Sequence, residues 1–251
     1  GCLAGLYFVT QPLSRYLAKK IPFEYELKLA SQMKYNELFH VCRANKGPEK
    51  NEYQFIVKIK QLYPDTVEVL RDLKKIKVIK MDQSNAFALP GGYIFITDKF
   101  INEAKTYEEI VGVIAHEQGH FFNRHHLQAM IRGSLLTMSA SLTTGDVTSF
   151  MLMDPSTLMS IVSLKFNRED EDEADRFAAE QILKKMHLST GGLIDFFDRS
   201  SKDVDVINHK VPDFLLTHPA DVARIQMLKK YLTETPLNEI DPDDQINVLC
   251  D

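Results

Sequence analysis

His116, Glu117 and His120 are the residues of this 251-residue chain whose types and spacing point most directly to chemistry. The run His116-Glu117-Gln118-Gly119-His120 sets two imidazoles at i and i+4, stacked on one helix face at a separation that suits a single Zn²⁺. Glu117, between them, faces the open coordination position and can take a proton from water there. The bland alternative is a helix with two structural histidines. A catalytic zinc also needs a third protein ligand and a free fourth position. The acidic run Glu169 to Asp175 offers one: most of these charges read as a solvated helix face, but Glu171 and Asp175 share a face at i and i+4. One of the two can bind metal while the other accepts an N–H from a ligand histidine and fixes its tautomer. Glu173 points elsewhere.

His218 and Arg224 follow later in the chain. They read either as a loop cap and a surface cation, or as a donor pair that stabilises the oxyanion of a tetrahedral intermediate. His125, five residues beyond His120, falls off the ligand face and suits a helix-end or core role, with His126 beside it. His40, His187 and His209 have no partner that the sequence identifies.

The elements that must carry these residues can be placed by pattern. Thr106 and Glu109 have capping-box spacing, so one helix is expected from about Tyr107 to Met130. A second helix is expected from Asn167 to Met186, a turn at Gly191-Gly192, a loop bracketed by Pro212 and Pro219, and a last helix from Ala220 to Leu232. Strands are expected over Ile76 to Met81, Ala86 to Leu89 and Tyr93 to Thr97, the last two joined by Pro90-Gly91-Gly92. The proline assigns this hairpin to a sheet edge, because it has no N–H to give to a ladder. Ile131 to Phe166 reads as two short buried helices and a turn, either core or a lid over the cleft. Pro22 to Lys60 reads as helical scaffold with a loop at Asn45 to Pro48.

Composition narrows the function classes. With 44% apolar and 26% charged residues the chain is an ordinary folded domain, and a net charge of −5 gives no field for gathering phosphates, so nucleic acid is not an expected partner. Three cysteines, Cys2, Cys42 and Cys250, are too scattered for a thiolate metal site. A Cys42–Cys250 bridge is possible, but free buried thiols are the expectation. No apolar run reaches the 18 residues that suggest a span. The apolar opening Gly1 to Thr10, followed by Arg15, Lys19 and Lys20, suits either the end of a membrane anchor, with Gly1-Cys2 also fitting a lipoprotein site, or an element packed on the core.

HEQGH, EDEADRFA and THPADVAR together resemble metallopeptidase family forty-eight, the group containing the CAAX prenyl protease and HtpX. NAFALPGGYIFITD is similar to the edge-strand hairpin of its bacterial envelope and Oma-like members, and LSRYLAKKIPFEYE to the stretch that follows the anchor in some bacterial ones. The resemblance implies one Zn²⁺ held by His116, His120 and Glu171, with Glu117 as general base and Asp175 behind a ligand histidine. It makes His218 and Arg224 contacts to substrate or oxyanion, although in some relatives the histidine at this place fills the fourth zinc position. Ala86, Phe87, Ala88 and Leu89 would pair with an extended substrate through free backbone groups. No acyl-enzyme is expected, and the lack of many hydrophobic spans disfavours prenyl-protein cleavage.

The expectation is therefore a mainly helical α+β, zincin-like domain over residues 31–235, with a small sheet whose edge strand borders the cleft. An anchor and linker remnant over 1–30 precedes it and a tail over 236–251 follows. The implied function is a zinc endopeptidase acting on unfolded or misassembled polypeptides, membrane-associated on the periplasmic side of a bacterial envelope. A zinc-bearing chaperone or assembly factor is the alternative.

Overall fold

The computed structural model describes residues 2–33, 35–44, 52–70, 72–144, 166–202, 213–219, 221–241, 248 and 250. In chain order the helices and strands are α1 (Cys2–Lys20), α2 (Phe23–Gln32), α3 (Tyr35–Leu38), α4 (Gln54–Leu62), α5 (Thr66–Val69), β1 (Ile76–Ile79), β2 (Ala86–Leu89), β3 (Tyr93–Thr97) and α6 (Asp98–Glu103). They continue as α7 (Tyr107–Phe122), α8 (His125–Thr144), α9 (Arg168–Phe177), α10 (Gly191–Lys202), α11 (Asp213–Thr217) and α12 (Val222–Leu228). The protein is α+β: mainly helical, with one small mixed sheet.

The sheet has the order β1-β3-β2, with β1 parallel and β2 antiparallel to β3. Its hairpin turns at Pro90-Gly91-Gly92, where Gly91 and Gly92 adopt φ of 84° and 81°. These are left-handed values that favour glycine, and a Cβ on Gly91 would lie 2.4 Å from Ala30 Cβ on α2. Side chains alternate by face. Val78, Ala86, Ala88, Ile94 and Ile96 join the main core, while Ile79, Phe87, Leu89 and Phe95 form a smaller one with Tyr35 and Phe39.

α7 runs through the middle of the main core and is buried from Tyr107 to His120. It starts at Thr106, whose hydroxyl accepts from Glu109 N at 3.2 Å. The capping box is only half closed: Glu109 Oε2 accepts from Lys105 N instead of Thr106 N, and both its oxygens pair with Arg199. At Gly119 the helix crosses α9 so closely that a Cβ would sit 2.7 Å from both Cα and O of Ala174.

The structure revises several boundaries. The helix expected to reach Met130 breaks at Asn123-Arg124, where Arg124 takes φ 59° and its guanidinium donates to Ala18 O, Ile21 O and Glu26. α8 then runs unbroken to Thr144 in place of the first of two short helices, and the remainder of the possible lid, 145–165, lies outside the described residues. The loop expected at Asn45 to Pro48 also lies outside them. The second helix ends in a π-helical stretch, Ala178–Leu183. Gly191-Gly192 opens α10, α11 occupies the proline-bracketed loop, and the last helix is shorter than expected, Val222–Leu228. The apolar opening forms α1, which packs along α8. No helix among the described residues is long and apolar enough to cross a membrane.

The C-terminal stretch is tied to the domain. Thr106 and Glu239 form an antiparallel bridge, and Glu108 accepts from Asn238 N, Asn238 Nδ2 and Tyr63 OH at the start of α7. Cys42 and Cys250 are joined in a disulfide, with Cα atoms 4.7 Å apart, which corrects the expectation of free thiols. The physical reason is the return of the chain: Lys80 donates to Cys250 O while Cys42 N donates to Val78 O, so both cysteines lie beside β1.

Two outcomes are expected. Denatured, unreduced protein should titrate for one thiol and reduced protein for three, against three in both if no bridge exists. Gly119→Ala should drive α9 from α7 and destabilise the protein by about 1–3 kcal/mol, with loss of bound metal; an unchanged melting temperature and metal content would show that the crossing is not tight.

Candidate active site

The Gly119 crossing sets the α7 histidines opposite the α9 carboxylates. α9 begins at Asn167, whose Oδ1 accepts from Glu169 N and Asp170 N, and its first and second turns carry Glu171 and Asp175 inward, one turn apart on one face. His218 arrives from the end of α11, with its N–H on Phe214 O. His116, His120, Glu171 and His218 are all buried, and one donor atom from each lies within 4.8 Å of the others. His120 Nε2 lies 3.1 Å from His116 Nε2, His218 Nδ1 lies 3.4 Å from His116 Nε2 and 3.1 Å from Glu171 Oε1, and each α7 histidine lies 3.5 Å from a Glu171 oxygen. A tetrahedral ion with bonds of about 2.0–2.1 Å sets its donors roughly 3.3 Å apart. The donor set is therefore of the right kind and spacing for one divalent cation, and three nitrogens with a carboxylate suit zinc chemistry.

The surroundings orient these donors. His116 Nδ1 lies 2.8 Å from Asp175 Oδ1, which leaves Nε2 for the cluster. Phe166 stacks on the His120 ring at 4.1 Å and Phe214 on His218 at 4.6 Å. Arg224 donates Nε and Nη2 to Asp175 and Nη1 to Pro219 O, and Nη1 lies 2.7 Å from Glu171 Oε2. Expected as a contact to the oxyanion, the guanidinium is instead only 2% exposed and turned to the carboxylates, because two buried anions need a cation beside them.

Glu117 is wholly buried. Its Oε2 accepts from Ala88 N at 2.9 Å, while Oε1 has no hydrogen-bond partner and lies 3.5 Å from His218 Nε2. β2 is one of the sheet's two outer strands, as the proline suggests, but its edge is not free. Ala86 N donates to Asn85 Oδ1 and Ala88 N to Glu117, and all four residues of the strand are buried. The expected pairing through free backbone groups is therefore corrected for the N–H donors: the strand is already holding the carboxylate.

His125, expected in a helix-end or core role, opens α8 and is buried outside the donor cluster. Its Nδ1 lies 2.9 Å from His120 Nδ1 because the break at Arg124 re-aims it. Glu173, facing away from the donor cluster as expected, accepts from His125 on the other side. His126 is buried against Phe166.

A family model described as Peptidase family M48 matches residues 57–232, more than half the chain. The chain belongs to peptidase family M48. Relatives include a putative beta-barrel assembly-enhancing protease of Vibrio cholerae, 29% identical over 63% of this chain and 34% of that protein. The mitochondrial metalloendopeptidase OMA1 of Schizosaccharomyces pombe is 26% identical over 67% of this chain and 50% of that protein. Metalloprotease YcaL of Escherichia coli is 26% identical over 61% and 60%. The chain spans about a third to three fifths of the length of these relatives. The family is one of metallopeptidases, and the buried His-His-Glu-His group is where a metal ion fits.

Charge within this M48 site is uneven. Burial alone would lower His116, but the Asp175 and Glu171 carboxylates push it up to about 9. Burial lowers His120 well below its ordinary value, and the neighbouring histidines lower it further. Against burial, which raises both, His218 and Arg224 depress Glu171 and Arg224 depresses Asp175. Burial raises Glu117, against the pull of His218 and His116.

A metal-free test follows from His116. Its folded value lies above its unfolded one of 6.5, so its contribution to stability is complete below pH 6.5 and is lost as pH rises through about 9. The melting temperature of metal-stripped protein should fall across that window more steeply than that of the metal-loaded protein, in which the proton has been displaced. An equal or opposite slope would contradict the His116–Asp175 pairing.

Proposed function

We propose that the chain is a zinc-dependent endopeptidase of unfolded or misassembled polypeptides, located in the bacterial envelope and held latent by His218. The observation that carries this reading is the convergence of four buried donors beside a carboxylate oxygen, Glu117 Oε1, that has no hydrogen-bond partner among the described residues. His116, His120 and Glu171 would hold the ion, with Asp175 and Arg224 fixing them. When bound, zinc supplies Lewis-acid polarisation of the scissile carbonyl and makes water more acidic.

The chain's own residues do the rest. Ala88 N–H pins Glu117 Oε2, so Oε1 is the oxygen that receives the proton from the attacking water and returns it to the leaving amine. His218 Nδ1 fills the fourth corner of the donor set, the place that substrate needs. A small rotation away would free that corner and leave the imidazole able to donate to the developing oxyanion. With both outward N–H groups of β2 occupied, an extended substrate would pair with the strand through its outward carbonyls, at Ala86 and Ala88.

The disulfide supports an oxidising compartment. Similarity to the putative beta-barrel assembly-enhancing protease of Vibrio cholerae and to the beta-barrel assembly-enhancing protease of Yersinia pestis supports an envelope substrate. The basic end of α1, Lys19 and Lys20, supports a position at a membrane. The filled fourth corner also favours a second reading, a chaperone or assembly factor with weak cleavage. A purely structural zinc site is disfavoured, because it would have no reason to bury Glu117 Oε1 without a hydrogen bond.

Casein cleavage by zinc-quantified protein separates these readings. Glu117→Gln should keep zinc and fold but lose turnover by roughly 10²–10⁴-fold, and His218→Ala should keep zinc and cleave faster than wild type. An active Glu117→Gln protein would sink the mechanism. Loss of zinc in His218→Ala would favour the structural site, and silence of all three proteins the chaperone.

A further inference from the structure

The two ligand histidines of α7 are supported unequally. His116 Nδ1 meets a fully buried carboxylate, Asp175, directly. His120 has no carboxylate at its outer nitrogen: Nδ1 lies 2.9 Å from His125 Nδ1. His125 Nε2 in turn lies 3.1 Å from Glu173 Oε2 and 3.9 Å from Asp170 Oδ1. The direction of these hydrogen bonds is fixed by the ligand role. A His120 that offers its Nε2 lone pair to a cation carries its proton on Nδ1, so Nδ1–H donates to His125 Nδ1. His125 then carries its own proton on Nε2 and donates it to Glu173. In the opposite sense, His120 would aim an N–H at the donor cluster and could not ligate.

The far end of this chain is held by the N-terminal helix. Arg15 of α1 meets Glu169 at 2.6 Å, Glu173 at 3.3 Å and Asp170 at 3.5 Å. The near end depends on the same part of the protein. On an unbroken helix, residue 125 would lie about 140° around the axis from residue 120. It reaches His120 because the chain breaks at Arg124, and Arg124 is clasped by Ala18 O, Ile21 O and Glu26 of α1 and α2. These helices precede residue 57, where the family match begins.

We infer that His125 is a positioning residue that fixes the tautomer and orientation of His120, and that the α1–α2 pair completes the metal site through Arg15, Glu173 and Arg124. The inference rests on the zinc reading above. It assigns the N-terminal helices a direct part in metal affinity, where the chemistry alone would assign them none.

The test is zinc affinity of the full chain by chelator competition, together with the visible absorption of the cobalt-substituted protein. His125→Leu should weaken zinc on the order of 10- to 100-fold and shift the cobalt bands. His125→Asn, which keeps an acceptor near the Nδ1 position, should recover most of that loss. Glu173→Gln and Arg15→Met should weaken binding in the same direction by less. His125→Leu binding zinc within about twofold of wild type, with an unchanged cobalt spectrum, would overturn the inference and leave the peptidase reading intact. Should His125→Leu fail to fold, Glu173→Gln and Arg15→Met carry the test, and wild-type zinc affinity in both overturns it. Wild-type protein that takes up no zinc would instead overturn the zinc reading, and this inference with it.

Discussion

The approach of α7 to α9 at Gly119 governs most of what this protein can do. Because glycine has no Cβ, the backbone of Ala174 comes to rest where a side chain would otherwise stand, and the faces bearing His116 and His120, Glu171 and Asp175 are pressed together out of water. Bringing two carboxylates into a buried space is costly unless each is matched. Arg224 and the histidines provide that match, and in doing so they freeze the ligand geometry. The same burial that makes the site dry makes its electrostatics strong, so small displacements of a cation or a proton have large effects.

Opposite that crossing, the sheet serves less as a structural layer than as a clamp on Glu117. The outward N–H of Ala88 holds one carboxylate oxygen and directs the other toward His218. Edge strands leave N–H and C=O groups unpaired on one side, and here one such donor orients the Glu117 carboxylate. The alternating small and aromatic residues of β2 make this possible: Ala86 and Ala88 let the strand lie close to α7, while Phe87 and Leu89 fill the opposite face.

Much of this was legible in the sequence where chemistry and local pattern coincide. The i, i+4 histidines, the i, i+4 acids, the Thr106 cap and the PGG hairpin are all short-range signals, and each lies where it was expected. What escaped was set by tertiary contact. The break at Asn123-Arg124 has local hydrogen bonds through Asn123, but Arg124 is also held by carbonyls about a hundred residues away, and the break brings His125 to His120. Arg224 was placed with the right cluster but given the wrong neighbour, since sequence spacing shows proximity along the chain and not which side of a carboxylate a guanidinium occupies. The disulfide was open on the sequence because it depends on the return of the chain past β1.

That disulfide turns nearly the whole protein into a closed ring. The bonded pair is separated by 208 residues, so every element from α4 to the last helix lies inside one covalent circuit. A single cut in any loop of that circuit, by another protease or by a second copy of this one, opens the ring without releasing a fragment. Both new ends remain tethered, and the active-site helix stays attached to α9 and to the strand behind Glu117 through chain that runs the other way round. So long as the surroundings stay oxidising, a first nick leaves the two halves of the circuit covalently joined.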